Sequence, residues 1–446
     1  MSRELFGTDG IRGVPGTPPL DDRTLYSVGR ALGKYLLERE KRPRVLIGMD
    51  TRESGPHIAQ QILAGLADDG IEFHSAGVIT TPGIACLVRL EKFSAGIVLS
   101  ASHNPYHDNG VKLFAGSGMK FPDEAEEKLE AEILRYPEPG RRGTLDCIAA
   151  PALGEDYLQF LRSRAIPGAS LAGMKVVLDC ANGAAFSLGP ALFRSLGANV
   201  IAINDRPDGR NINTDCGSLH PGSLQRKVLE TRAALGVAFD GDADRAMFAS
   251  ASGRVVDGDG VLLAAARYLK STGALRGGKV VGTSMANLGL ERALAGEGLP
   301  LARVPVGDRY VLEEMVRSGC NLGGEQSGHI IFLDDATTGD GLLTALKIAC
   351  MVALRGPLDA LVHGLKVFPQ TIINIPVRSK PPLESLPGVS RTLAEATRAL
   401  AESGRIVLRY SGTEPKARVM VEAEREEDVK RWADALANEI RSAIGA

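Results

Sequence analysis

The sequence predicts an α/β protein: three successive similar α/β domains with mixed sheets, then a smaller C-terminal α+β domain, arranged around a central cleft. Three observations carry this. The chain has 446 residues, too long for one core when domains run to about 100–150 residues. One strand, helix, strand pattern recurs three times. The pattern then changes in roughly the last 80 residues.

The repeats begin at Arg42 ("RPRVLIGMDTRESGPHIAQQILAGLADDGIEFHSAGV"), Gly173 ("GMKVVLDCANGAAFSLGPALFRSLGANVIAIN") and Gly278 ("GKVVGTSMANLGLERALAGEGLPLARVPVGD"). Each is an apolar β-branched run, a small polar loop, an amphipathic segment closed by glycine (Gly70, Gly197, Gly298), and a second apolar run. Apolar strands alternating with helices imply parallel or mixed sheets covered on both faces. Breaker-rich stretches mark boundaries at Arg135–Asp146, Ser250–Gly260 and Arg378–Gly388. They divide the chain into 1–150, 151–252, 253–366 and 367–446. Beyond Gly388, "RTLAEATRALAESG" reads as a helix, "RIVLRY" and "ARVMVEAE" as a hairpin, and "REEDVKRWADALANEIRSAIG" as a terminal helix. The proline-rich Arg378–Gly388 segment is expected to be the hinge of this last domain.

Composition narrows the function. A formal charge of −2 and a pI near 6.4 argue against a broad basic surface for nucleic acid or acidic lipid, so an anion site must be local. The six cysteines form no C-x-x-C pair, which fits reduced structural thiols. No basic flank precedes an apolar core in "MSRELFGTDG", and no run of 18 apolar residues occurs. The expected location is cytoplasmic, with no membrane partner.

Four loops after or within apolar strands carry the chemistry. In "LSASHNPYHDNGVKLF" a turn at Asn104-Pro105 displays Ser102 beside His103 and Lys112; no G-x-S-x-G elbow is present, and a turn-capping serine is the plainer alternative. In "GVAFDGDADRAMF", Asp240, Asp242 and Asp244 can converge on a hard cation such as Mg²⁺, or form a solvated acidic turn. The EF-hand pattern fails at Arg245 and Ala251. "NLGGEQSGHIIF" alternates Glu325, Ser327 and His329, suited to sugar hydroxyls or to an ordinary polar turn. "LRYSGTEPKARVMV" offers Arg409, Ser411, Gly412, Thr413 and Arg418 as a phosphate cradle, or as a plain hairpin with solvated arginines. Together the four describe a phosphoryl-transfer enzyme for a sugar phosphate.

"FGTDGIRG", "SASHNPYHDNGVK", "DGDADR", "GGEQSGH" and "SGTEPKARVMVE", in this order, resemble the α-D-phosphohexomutase superfamily from Phe6 to Glu422. "GEQSGH" and "VGDRYVLE" are most similar to its bacterial branch acting on glucosamine phosphates. Ala243 departs from the glycine many members carry. The resemblance implies that Ser102 is carried as phosphoserine and passes its phosphoryl group to the sugar through a hexose 1,6-bisphosphate, which also serves as activator. It implies Mg²⁺ on Ser102, Asp240, Asp242 and Asp244. Lys112 or His103 would then move the hydroxyl proton, with Arg12 and Arg245 stabilising charge. The four domains become phosphoserine, metal, sugar and phosphate domains. The partner is a small sugar phosphate, with a homodimer allowed and no nucleic acid. A mutase for glucose or mannose phosphates, a Mg²⁺-dependent sugar phosphatase using Ser102 transiently, and a non-catalytic sugar-phosphate sensor stay open as alternatives.

Overall fold

The structure is a computed structural model and describes residues 4–7, 9–136, 147–150, 152–411 and 415–446. It falls into two compact units, residues 1–283 with 304–363, and residues 284–303 with 364–446.

The first unit holds the repeated α/β layers. Its N-terminal sheet runs Ile11–Gly13, Asn109–Ala115, Ala95–Leu99, Arg44–Met49, Glu72–Val78, Ile148–Ala149. The central pairs are parallel, and Ala95–Leu99 turns back antiparallel onto Asn109–Ala115. The fully apolar Ala95–Leu99 is buried at every position, as a strand covered on both faces must be. The second sheet runs Val255–Val256, Ala246–Ser250, Leu235–Phe239, Lys175–Asp179, Asn199–Ile203 and is also mixed. In the third, Val280–Thr283 lies parallel to Leu322–Gly324, which turns back on Ile330–Phe332. These strands match the three repeats read in the sequence.

The second unit joins Ser284–Arg303, including the helix Leu288–Gly296, to the C-terminal region. Its sheet runs Gln370–Pro376, Lys416–Ala423, Gly404–Tyr410, all antiparallel. Alternation decides the faces: Val419 and Val421 pack with Trp432, Leu436 and Ile440 of the terminal helix Glu426–Ile444, leaving Arg418 and Met420 on the other face. Arg378–Gly388 is not the hinge of this region. The strand Gln370–Pro376 precedes it and pairs with Lys416–Ala423, so the proline-rich stretch is an internal connection leading into the helix Pro387–Leu400. The breaker-rich stretch around Arg135–Asp146 lies mostly outside the described residues. Among the described residues no helix is long and apolar enough to cross a membrane.

Candidate active site

All four chemistry-bearing loops occupy the same topological position, the turn of an antiparallel pair. Leu99 pairs with Val111, Phe239 with Ala246, Gly324 with Ile330, and Tyr410 with Ala417. The strands fix the ends of each turn, and the turn is free to present side chains.

The serine loop is held from inside. Ser102 sits at φ +51°, left-handed backbone that disfavours a residue with a Cβ. The loop is pinned there by Arg52, a buried guanidinium paired with Asp50 at 2.9 Å. Arg52 donates to the carbonyls of Ser102 (3.0 Å), Asn104 (2.8 Å), Asp108 (2.9 Å) and Pro105. Asn213 Nδ2 donates to the same Ser102 and Asn104 carbonyls, at 2.9 and 3.1 Å. Ser100 links Asp50 to the Ser102 amide. The Ser102 hydroxyl then donates to Asp240 Oδ2 at 2.5 Å, with His103 Nδ1 at 3.3 Å. Burial, with Arg245 and Arg12 adding repulsion, pushes the His103 imidazole down to about 4, so this ring is neutral at pH 7.

The three aspartates are buried, and one carboxylate oxygen from each lies within 4.8 Å of the others. Two backbone features permit this. A Cβ on Gly241 would stand 2.5 Å from the Ser102 carbonyl, so only glycine allows the serine and aspartate turns to touch. Ala243 has φ +54°, which explains why glycine suits that position; alanine there costs on the order of 1 kcal/mol.

Lys112 Nζ lies 2.9 Å from Asp242, 3.1 Å from Asp9 and 3.6 Å from Asp244. Burial alone would pull the Lys112 ammonium down, but Asp242, Asp9 and Asp244 outweigh it and hold it well above its usual range. Burial, with Asp244 and Asp242 beside it, pushes Asp240 well up. Against burial, Lys112 and His329 hold Asp244 well below its usual range. Among the described residues, Asp242 Oδ1 and Asp244 Oδ1 are buried without a hydrogen-bond partner. An all-oxygen donor set with two carboxylate oxygens that accept no hydrogen bond from the described residues fits a hard divalent cation.

The third loop meets this cluster through His329. Its Nδ1 is 3.7 Å from Asp244, and its Nε2 accepts from the Gly339 amide at 2.9 Å. Burial works against the imidazolium, but the bond and charge of Asp244 raise it. Glu325 Oε1 accepts from the Gly307 amide at 3.3 Å, and burial pushes its carboxyl up against the pull of His329. Ser327 is exposed. Arg245 Nε is 3.8 Å from Asp244, and Arg12 pairs with Asp9. The first unit thus brings together Ser102, His103, Lys112, Arg12, Arg245, the three aspartates and His329, with Glu325 beside His329 and Arg245.

Sequence reasoning left several participants unassigned. Asp9 lies within the "FGTDGIRG" stretch, and Lys120 bridges it to Asp308 at 2.6 and 2.7 Å. Asp308, Lys120, Asp9, Lys112 and Asp242 therefore alternate in charge across the site. Arg52 had a signal, an Asp-x-Arg directly after an apolar strand. Lys120, Asp308 and Asn213 had none that distinguishes them from ordinary loop polars.

In the second unit Arg409 and Arg418 are directly opposed on neighbouring strands. Burial, with Arg418 beside it, lowers Arg409. Ser411 is buried, and its carbonyl accepts from Lys380 at 3.0 Å. Gly412 and Thr413 lie outside the described residues.

Comparisons with known proteins cover nearly the whole chain. Family models described as phosphoglucomutase/phosphomannomutase match in four parts: alpha/beta/alpha domain I at residues 3–139, domain II at 155–253, domain III at 257–368, and the C-terminal domain at 372–439. The chain is similar to a phosphoglucosamine mutase of Solibacter usitatus, 50% identical over 447 residues and 100% of both chains. It is 49% identical to one from Koribacter versatilis, over 99% of this chain and 98% of the relative. Among solved structures it resembles a phosphoglucomutase/phosphomannomutase family protein from Burkholderia thailandensis, with TM-score 0.81, 25% identity, and 99% and 98% of the two chains covered. The Aspergillus fumigatus N-acetylphosphoglucosamine mutase, solved with GlcNAc-6P and magnesium, shares the fold at TM-score 0.70 and 19% identity over 99% and 96% of the chains.

Proposed function

The chain belongs to the phosphoglucomutase/phosphomannomutase family, and on that premise we propose that it interconverts glucosamine 6-phosphate and glucosamine 1-phosphate, a supply step for amino-sugar nucleotides. The observation that carries this is Ser102, whose hydroxyl lies 2.5 Å from Asp240 in a cluster with two buried carboxylate oxygens that accept no hydrogen bond from the described residues.

In this reading Ser102 enters each cycle as phosphoserine. Its Oγ–P bond breaks as a bond forms from phosphorus to O1 of glucosamine 6-phosphate, and the O1 proton leaves to the surrounding side chains. The product of that half is the 1,6-bisphosphate. After it turns over, the O6–P bond breaks as a bond forms from phosphorus to Ser102 Oγ, which has carried no proton since its own bond to phosphorus broke. O6 takes up the proton that the side chains received in the first half, and glucosamine 1-phosphate departs. Asp240, Asp242, Asp244 and the Ser102 oxygen are the residues that would hold Mg²⁺. When bound, the cation neutralises charge on the transferring group, the largest kind of assistance in phosphoryl transfer.

Lys112 is held protonated by three carboxylates, which suits it to charge stabilisation and proton donation better than to proton abstraction. His103, neutral and next to Ser102, orients the serine. Arg12 and Arg245 complete the cationic side, while Glu325, Ser327 and His329 read the sugar hydroxyls. Arg409, Ser411, Gly412, Thr413 and Arg418 grip the phosphate that is not reacting. Free thiols, buried except for the half-buried Cys147, suit a reducing compartment, the cytoplasm.

The test is product analysis with glucosamine 6-phosphate, Mg²⁺ and a trace of hexose 1,6-bisphosphate. Glucosamine 1-phosphate should accumulate with no inorganic phosphate. Net phosphate release would identify a phosphatase, and equal turnover of mannose 6-phosphate would replace the substrate.

A further inference from the structure

We propose that Thr81 is a positioning residue for the cation site, fixing which oxygen of Asp242 is offered to the ion. The inference rests on the reading that the three aspartates hold a divalent cation.

Thr81 opens the helix Thr81–Leu90, whose N-cap is Thr80, the Thr80 hydroxyl accepting from the Gly83 amide at 3.1 Å. Amides in the first turn of a helix have no intrahelical acceptor. The Thr81 amide donates instead to the Asp242 carbonyl at 3.0 Å. Its hydroxyl donates to Asp242 Oδ2 at 2.6 Å, and the residue is 1% exposed. One residue therefore grips Asp242 at both backbone and side chain, from a rigid helix start carrying Pro82.

Lys112 Nζ takes the same Oδ2 at 2.9 Å. With two donors on Oδ2, the oxygen left over is Oδ1, which is buried and has no hydrogen-bond partner among the described residues. Thr81 and Lys112 thus orient the carboxylate so that Oδ1 serves as a single-oxygen ligand. Lys112 also answers to Asp9 and Asp244, so it cannot set this orientation alone. Partners of this kind around metal ligands typically change affinity by about 10- to 100-fold when removed.

The experiment is a Mn²⁺ titration of the full chain followed by EPR, for the parent, Thr81→Val and Thr81→Ser. Valine keeps the β-branch and the backbone bond but removes the hydroxyl. We expect Thr81→Val to weaken Mn²⁺ binding by about 10-fold or more, with Thr81→Ser near the parent and metal-free thermal unfolding of all three alike. In turnover, the Thr81→Val defect should recover as Mg²⁺ is raised, a split that a folding defect would not produce. If Thr81→Val does not fold, Thr81→Ala with Thr81→Ser supplies the same comparison. Parent-like Mn²⁺ affinity in the hydroxyl-free variant, or equal loss in the serine variant, overturns the role of Thr81. A parent that takes up no Mn²⁺ overturns the cation reading beneath it.

Discussion

The serine loop and the C-terminal hairpin are both turns between antiparallel strands, yet they are built on opposite plans. The serine loop turns its carbonyls onto a buried arginine and an asparagine, and its reactive hydroxyl is already bonded to Asp240. The hairpin places two arginines directly opposite each other on neighbouring strands, and burial together with Arg418 lowers Arg409. A nucleophile that must act within tenths of an ångström needs a frame fixed before substrate binds. On the proposed function, a hairpin that grips either of two phosphates needs guanidinium donors it can turn to the anion.

Changes to the reactive centre should separate the two plans most sharply. Ser102→Ala should remove the tryptic phosphopeptide and lower turnover by at least about 10³-fold, measured with added bisphosphate. Retained activity would show that the preformed hydroxyl is not the carrier. Chelation should likewise abolish turnover, restored by Mg²⁺.

Next in size is the frame itself. Arg52→Met leaves Asp50 buried without its cation, and breaking such a pair costs about 3–5 kcal/mol. Urea unfolding of the first unit should register this, whereas the double variant Arg52→Met with Asp50→Asn should regain part of it. If Arg52→Met unfolds like the parent, the loop is not held from inside.

The clamp should respond differently. Arg409→Ala removes one charge-assisted donor set, worth roughly 1.5–3 kcal/mol of phosphate binding, or about 10- to 100-fold in kcat/KM. Phosphorylated Ser102 should remain, and more 1,6-bisphosphate should escape into solution. An unchanged efficiency and no extra escape would reduce the hairpin to a structural tail.

The same contrast explains what could be read in advance. The four loops stood out by their composition, although each also allowed a plainer reading: three alternating aspartates suit a hard cation or a solvated acidic turn, and two arginines around Ser-Gly-Thr suit an anion or a plain hairpin. The strand, helix, strand units were legible through their apolar runs and closing glycines. The frame was much less so. Arg52 lies in "MDTRESG", where a charged residue after a strand is normally a solvated one, and only the structure places it under four loop carbonyls. Asn213 comes from the stretch that follows the second repeat, and sequence spacing says nothing of that approach. The strand Gln370–Pro376 was hidden because the nearby prolines suggested a boundary, whereas its pairing is with a partner some 45 residues on.

The smallest expected effect tests whether the frame is redundant. Asn213 Nδ2 donates to the Ser102 and Asn104 carbonyls, but Arg52 Nη2 donates to both as well. A carbonyl has two lone pairs, so removing the asparagine leaves each acceptor with one donor and none of them orphaned. The loss should be that of ordinary hydrogen bonds, about 1 kcal/mol, rather than the penalty of an unsatisfied buried group. Asn213→Ala should therefore stay folded, keep its phosphoserine and lose only a few-fold in kcat/KM, with faster amide exchange at Ser102–Asp108 as the sensitive readout. A loss as large as that of Arg52→Met would mean that Asn213, reaching over from the stretch after the second repeat, is the principal support of the serine loop. Exchange in this loop that does not change at all would show that Arg52 suffices to hold these two carbonyls.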